Sequence, residues 1–176
     1  IVKVIKELRP KNAKVFKMPE RCPICHHRII RPEGEVAHYC SNKNCGARQR
    51  NKLYYFVSKK GFDIQGLGPK SVDQLMDAGL ISQAPDIFFL KEGDLQPLER
   101  FAEKSASNLV KAIEKAKKIT LGRLITALGI KYVGEETAEL IKNHFGEKIK
   151  SISDLINLFQ KISQQEIEEI EGIGPK

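Results

Sequence analysis

Tryptophan is absent from this 176-residue chain, and methionine occurs only twice. The aromatic residues are tyrosine and phenylalanine alone, 7% of the total. That excludes an aromatic-rich platform on which single-stranded bases would stack. No apolar run approaches the roughly 18–20 residues that cross a bilayer, so no membrane partner is expected. The opening stretch IVKVIKELRP has no initiator methionine, and its basic residues interrupt the apolar ones as no signal peptide allows. Acidic residues are outnumbered, 22 against 30 Lys and Arg, which leaves a net charge of +8 and a pI near 9.3. Such an excess favours an acidic partner such as nucleic acid over a plain solvated surface.

What is present is a soluble, globular composition, 41% hydrophobic and 30% charged. The length suits one medium domain or roughly two to three small ones. The chain opens within a strand-like run and stops within a motif, so it is expected to be a piece of a longer protein.

The four cysteines all fall in one short stretch, CPICHHRIIRPEGEVAHYCSNKNC. Cys22 and Cys25 form a CxxC pair; Cys40 and Cys45 form a Cx4C pair. Two such pairs, each on a tight turn, converge on one tetrahedral Zn²⁺. The alternatives are two disulfides or four idle thiols, and clustered cysteines at this spacing favour the metal. Four thiolates leave no position for water, so the zinc is structural rather than catalytic. The loop between the pairs carries Pro32, Gly34 and little apolar mass, so the metal supplies much of its folding energy. His26, His27 and His38 are competing ligands by proximity, expected at the surface because the cysteine set is complete.

Beyond the cysteines, Arg48, Arg50, Lys52, Lys59 and Lys60 surround Leu53, Phe56 and Val57, which fall at i, i+3 and i+4. This predicts a helix with one buried stripe and a solvated basic face. Leu109, Ile113 and Ala116 predict a second buried stripe, beside a basic stripe of Lys111, Lys115 and Lys118 read as a solvated face near DNA. Ser163 and Glu166 have the spacing of a capping box.

The remainder repeats. Gly66-Leu67-Gly68 precedes Val72 and Leu75, and Arg100-Phe101-Ala102 precedes Ala106 and Leu109. Tyr132-Val133-Gly134 precedes Ala138 and Ile141, and Gly172-Ile173-Gly174 precedes the final Pro175 and Lys176. The register is the same each time. The pattern predicts a helix, a tight turn and a second helix. Its glycines permit positive φ and close approach, and Pro69 suits the first helical turn. The free N–H groups and dipole of the new helix form an anion site that a phosphate can fill. Lys70 stands at its mouth. Such contacts give affinity without sequence preference. The copies are unequal: the second has Arg100 and Ala102 in place of glycines, and the third has Glu135 and Glu136 in its first helical turn, with Lys131 as a partial offset. The candidate DNA-binding residues are Gly66, Leu67, Gly68, Lys70, Lys131, Val133, Gly134, Gly172, Gly174 and Lys176.

A four-cysteine finger followed by four helix-hairpin-helix motifs resembles the C-terminal half of bacterial NAD-dependent DNA ligase. The stretches that carry the resemblance are CPIC…CSNKNC, FDIQGLGPK, EKSASNLVKAIEKAK, RLITALGIKYVGEETAELI and IEGIGPK. The resemblance implies a mainly α fold. Residues 1–19 would be the terminal strand of an oligonucleotide-binding (OB) fold and a linker, 20–48 the zinc finger, and 49–176 the helix-hairpin-helix domain with its last motif truncated. It implies a part that grips double-stranded, nicked DNA for a parent enzyme using NAD and Mg²⁺ in replication and repair. That parent would be monomeric and cytoplasmic, and would supply the adenylation and OB domains. The family's Lys-x-Asp-Gly motif is missing, and the chain has no Asp-Gly pair, so no catalysis is expected from it. Two other classes fit the hairpins: a DNA-binding module of a repair nuclease or junction-binding protein, and a structural scaffold between domains.

Overall fold

The computed structural model describes residues 5–99 and 101–174. Arg100, Pro175 and Lys176 of the predicted turns lie outside the described residues, as do residues 1–4 of the expected first strand. The chain divides into two compact units, Ile1–Gly46 and Ala47–Lys176.

The first unit has almost no regular structure. A single 3-10 turn, Lys6–Leu8, stands where the strand was expected to continue. No partner strand for it occurs among the described residues, and a strand's backbone groups need one. Two short strands, β1 (Ile29–Ile30) and β2 (Tyr39–Cys40), pair antiparallel with Ile29 opposite Cys40. The only buried apolar side chains described in this unit are Cys22 and Cys45, while Val15, Phe16, Ile24 and Val36 are exposed. An apolar core does not hold it together.

The second unit is helical. Helix α1 (Gly46–Val57) buries Leu53, Phe56 and Val57, the predicted stripe. Helix α2 (Pro69–Asp77) starts at Pro69 with Gly68 as N-cap and buries Val72 and Leu75. A short α3 (Glu92–Leu95) and a long α4 (Glu103–Ala116) follow, the latter burying Ala106, Leu109 and Ile113. Then come α5 (Leu121–Ala127), α6 (Glu135–Phe145), α7 (Ile152–Lys161) and α8 (Gln164–Glu168). Ser151 caps α7 with Asp154, and Ser163 caps α8 with Glu166 as the sequence predicted. Each box satisfies two backbone donors that the helix leaves unpaired.

Two hydrophobic cores divide the hairpins into pairs. The first joins α1, α2 and α4 through Leu53, Leu75 and Ile113, together with Leu67, Ile87 and Phe101 between the helices. Phe56 and Phe62 stack in it with ring centroids 4.3 Å apart, and Phe88 meets Phe62 edge-on at 5.2 Å. The second core joins α5, α6 and α7 through Ile125, Ile141, Phe145, Leu155 and Ile170. Helix α5 serves both, since Ala127 packs in the first core and Ile125 in the second.

Candidate metal centre and nucleic-acid interface

The first cysteine pair lies on a tight turn. The Cys22 N–H donates to the His27 carbonyl at 2.8 Å, and the His26 N–H returns to the Cys22 carbonyl at 2.9 Å. His26 takes a left-handed φ of 58° to close it. The second pair spans the end of β2 and a turn in which the Cys45 N–H donates to the Asn42 carbonyl at 3.2 Å. The antiparallel pairing of β1 with β2 brings the turns together. All four Sγ atoms lie within 4.8 Å of one another. Cys22 and Cys45 are separated by 3.8 Å and Cys25 and Cys40 by 3.3 Å.

That donor set fits a zinc ion. Zn–S bonds of about 2.3 Å in a tetrahedron place sulfurs about 3.8 Å apart. The electrostatics ask for a cation. The Cys25 thiol is drawn down to about 6, chiefly by a hydrogen bond from the His27 backbone. The Cys40 thiol is pushed up to about 12, chiefly by burial and then by its hydrogen bond to Cys25. Four crowded thiols cannot all ionise unaided, and a divalent cation removes the conflict. When bound, Zn²⁺ supplies a structural cross-link where the unit lacks a core. His26, His27 and His38 are exposed. The His27 Nδ1–H donates to the Cys25 carbonyl at 2.9 Å, so that nitrogen is already engaged.

The hairpin turns share one backbone geometry. The central apolar residue of each donates its N–H three residues back: Leu67 to Ile64 at 3.1 Å, Phe101 to Leu98 at 3.2 Å, Val133 to Ile130 at 3.0 Å and Ile173 to Ile170 at 3.0 Å. In hairpins one, three and four the residue just before it is left-handed, with φ of 87° at Gly66, 67° at Tyr132 and 92° at Gly172. In the first three hairpins the residue after it is the N-cap of the next helix. Gly68 receives the Val72 N–H, Ala102 the Ala106 N–H and Gly134 the Ala138 N–H.

This geometry corrects parts of the sequence reading. The positive φ falls on the residue before the central apolar one, at Gly66, Tyr132 and Gly172; Gly68 and Gly134, which follow it, are extended, with φ of −84° and −93°. Leu67 is buried at 2% exposure and its N–H is spent inside the turn. Its side chain therefore anchors the hairpin in the core, and the half-buried Val133 repeats that arrangement. Gly66, Gly68, Lys70, Lys131, Gly134, Gly172 and Gly174 are exposed or half-exposed at their turns. A Cβ built on Gly68, Gly134 or Gly174 meets no atom within 4 Å. The fold itself does not require glycine at those three positions. The N–H groups of Lys70 and Ser71 stay at the open end of α2, since Val72 is the first to bond back.

The basic face of α1 is also less free than its sequence indicates. Arg50 binds Asp73 at 2.6 Å and Asp77 at 2.5 Å, and the Tyr54 hydroxyl donates to Asp73. The Tyr54 hydroxyl and the Arg50 guanidinium hold the Asp73 carboxyl below the usual carboxylate range. Arg50 thus ties α1 to α2, a role no local pattern announced. Lys60 lies 3.6 Å from Glu135, so it offsets part of the charge in the acidic first turn of α6. Lys131 places its ammonium 4.8 Å from the Tyr132 ring centroid.

Residues 21–47 match the NAD-dependent DNA ligase C4 zinc finger domain, and residues 123–176 match the helix-hairpin-helix motif. Relatives matched along nearly the whole chain carry the name DNA ligase. The protein from Pelotomaculum thermopropionicum is 44% identical over 176 residues, which is 100% of this chain and 25% of the relative. That of Desulfitobacterium hafniense DCB-2 is 42% identical over 175 residues, 99% of this chain and 25% of the relative. By sequence the chain is similar to part of these DNA ligases, and its residues 21–47 carry the NAD-dependent DNA ligase C4 zinc finger.

The chain spans about a quarter of the length of these ligases. Both matched segments have structural counterparts. The zinc-finger match contains all four cysteines. The hairpin match contains the second hydrophobic core, hairpins three and four. Hairpins one and two lie in the part that aligns with the ligases themselves, including that of Coxiella burnetii RSA 493, 42% identical over 168 residues. No helix among the described residues is long and apolar enough to cross a membrane.

Proposed function

We propose that this chain is the non-catalytic, duplex-gripping portion of a DNA ligase that seals nicks in replication and repair. The observation that carries this reading is the common turn geometry. Hairpins one and three each present an exposed N-cap glycine with open space beside it, at the start of a helix with unpaired N–H groups. A phosphate oxygen fits that space, with backbone donors and the helix dipole behind it. Gly66, Gly68 and Lys70 form the first contact; Lys131 and Gly134 form the second. Gly172 and Gly174 belong to a third, with Lys176 assigned to it by register alone. Hairpin two, with Ala102 as N-cap, serves mainly to build the first core.

Residues 20–48 act as a zinc-stapled connector, and residues 49–176 as the DNA-binding domain. Residues 1–19 belong to the end of the OB fold. The parent enzyme supplies that fold and the adenylation domain, uses NAD and Mg²⁺, and works as a cytoplasmic bacterial monomer. The test is a fluorescence titration of this chain with nicked and intact duplex over a range of salt. Four to six engaged phosphates give log K against log salt a slope near −4 to −5. Salt-independent binding, or strong preference for one sequence, overturns the reading. Incubated with labelled NAD, the chain should take up no AMP, because the Lys-x-Asp-Gly motif is missing.

A further inference from the structure

Resting on the duplex-binding reading, we infer that the seam between the two hairpin pairs is an additional phosphate-backbone contact, built by Lys115, Lys118 and Arg123. None of these residues belongs to a hairpin turn. They line one concave cleft between the last turn of α4, the start of α5 and the segment Phe62–Gln65. Gln65 immediately precedes the left-handed Gly66 of hairpin one. The cleft is therefore continuous with a proposed phosphate site. It also lies where the chain passes from the first core to the second. A duplex held by both hairpin pairs has to pass this junction.

The charge of the cleft suits a phosphodiester. Three cationic side chains line it against one carboxylate, Asp63, which already accepts a hydrogen bond from Gln65 Nε2 at 2.8 Å. Lys115 and Lys118 are exposed and enter no ion pair among the described residues, whereas the adjacent Lys117 pairs with Glu114. Arg123 holds the wall in place: its Nη2 donates to the Lys59 carbonyl at 2.9 Å, tying α5 to the turn after α1. Lys111, four residues before Lys115, extends the same face along α4. Lysines near a helix C-terminus also complement its dipole, but that role needs no cleft and no continuity with a hairpin mouth.

The experiment compares the intact 176-residue chain with two charge-matched double variants, Lys115→Ala/Lys118→Ala and Lys91→Ala/Lys161→Ala. The second pair is exposed and lies outside the cleft and the hairpin turns. Titrations with an intact duplex across a salt series read the slope, and thermal melts read the fold. A lost phosphate contact lowers the slope by about 1. The seam variant should therefore show a slope shallower by about 2 and an affinity at least about tenfold weaker, with an unchanged melting temperature. The control should keep the parent slope. A seam variant with the parent's slope, or a control that loses as much, overturns the inference while leaving the hairpin reading standing. A parent chain that binds no duplex overturns both. Equal losses for duplex and for an acidic polypeptide would show a general anion surface, against the inference.

Discussion

Gly68 separates what the fold needs from what a ligand needs, and Gly68→Val tests that separation. The residue sits at φ −84° and ψ 177°, extended geometry that a β-branched residue adopts without strain. A Cβ there meets nothing within 4 Å. Two small effects act on the free chain. Valine has less freedom to lose on folding, a gain of about 0.4–1 kcal/mol. It is a poorer N-cap than glycine, a loss of about 0.5–1 kcal/mol. The balance is about 0.5 kcal/mol either way, a change in melting temperature of about 2 °C. In the complex the branched side chain occupies the space in which a phosphate approaches the open end of α2. Losing one charge-assisted hydrogen bond costs about 1.5–3 kcal/mol, about tenfold or more in affinity. Gly66→Val is the converse case. Its φ of 87° is left-handed, so the fold should lose about 1–3 kcal/mol to strain. Fluorescence titrations at fixed salt, with melts on the same samples, separate the two. A Gly68→Val chain that melts like the parent and also binds like the parent would refute the assignment.

Phe101 is buried at 8% exposure in the first core, so Phe101→Ala should cost about 3–5 kcal/mol in a denaturant titration; a loss under about 1 kcal/mol would mean that the second hairpin is not packed as described. Metal analysis should find one zinc per chain, and Cys45→Ser or a strong chelator should abolish it and unfold residues 20–46. The helical unit, with two apolar cores of its own, should retain its far-UV signal; an unchanged finger without zinc would contradict the site. The Asp73 carboxyl titrates below its ordinary value of 3.8 because of Tyr54 and Arg50. It therefore contributes stability above pH about 4 that disappears as the pH falls through its lower folded value. The difference in melting temperature between Asp73→Asn and the parent should shrink from pH 6 to pH 2, and a pH-independent difference would sink the argument.

The zinc site was legible before any fold, because two closely spaced cysteine pairs have few geometric outcomes. The helical stripes were legible for the same kind of reason: Leu53, Phe56 and Val57 repeat at the period of a helix and must share a side. The turns were legible as turns, since Gly, Pro and an apolar residue at fixed spacing act through local backbone geometry. Local pattern could not say which glycine carries the positive φ. Both Gly66 and Gly68 permit it, and the choice follows from which N–H closes the turn. Nor could it show that Leu67 points into the core, that Arg50 is consumed by Asp73 and Asp77, or that four hairpins form two pairs. Those facts depend on residues 20 to 60 positions apart meeting in space. Arg123 reaching the Lys59 carbonyl, and the cleft it borders with Lys115 and Lys118, are of that kind. A lysine on a helix face reads the same in sequence whether it faces open water or a groove, because only the packing of other elements builds the groove.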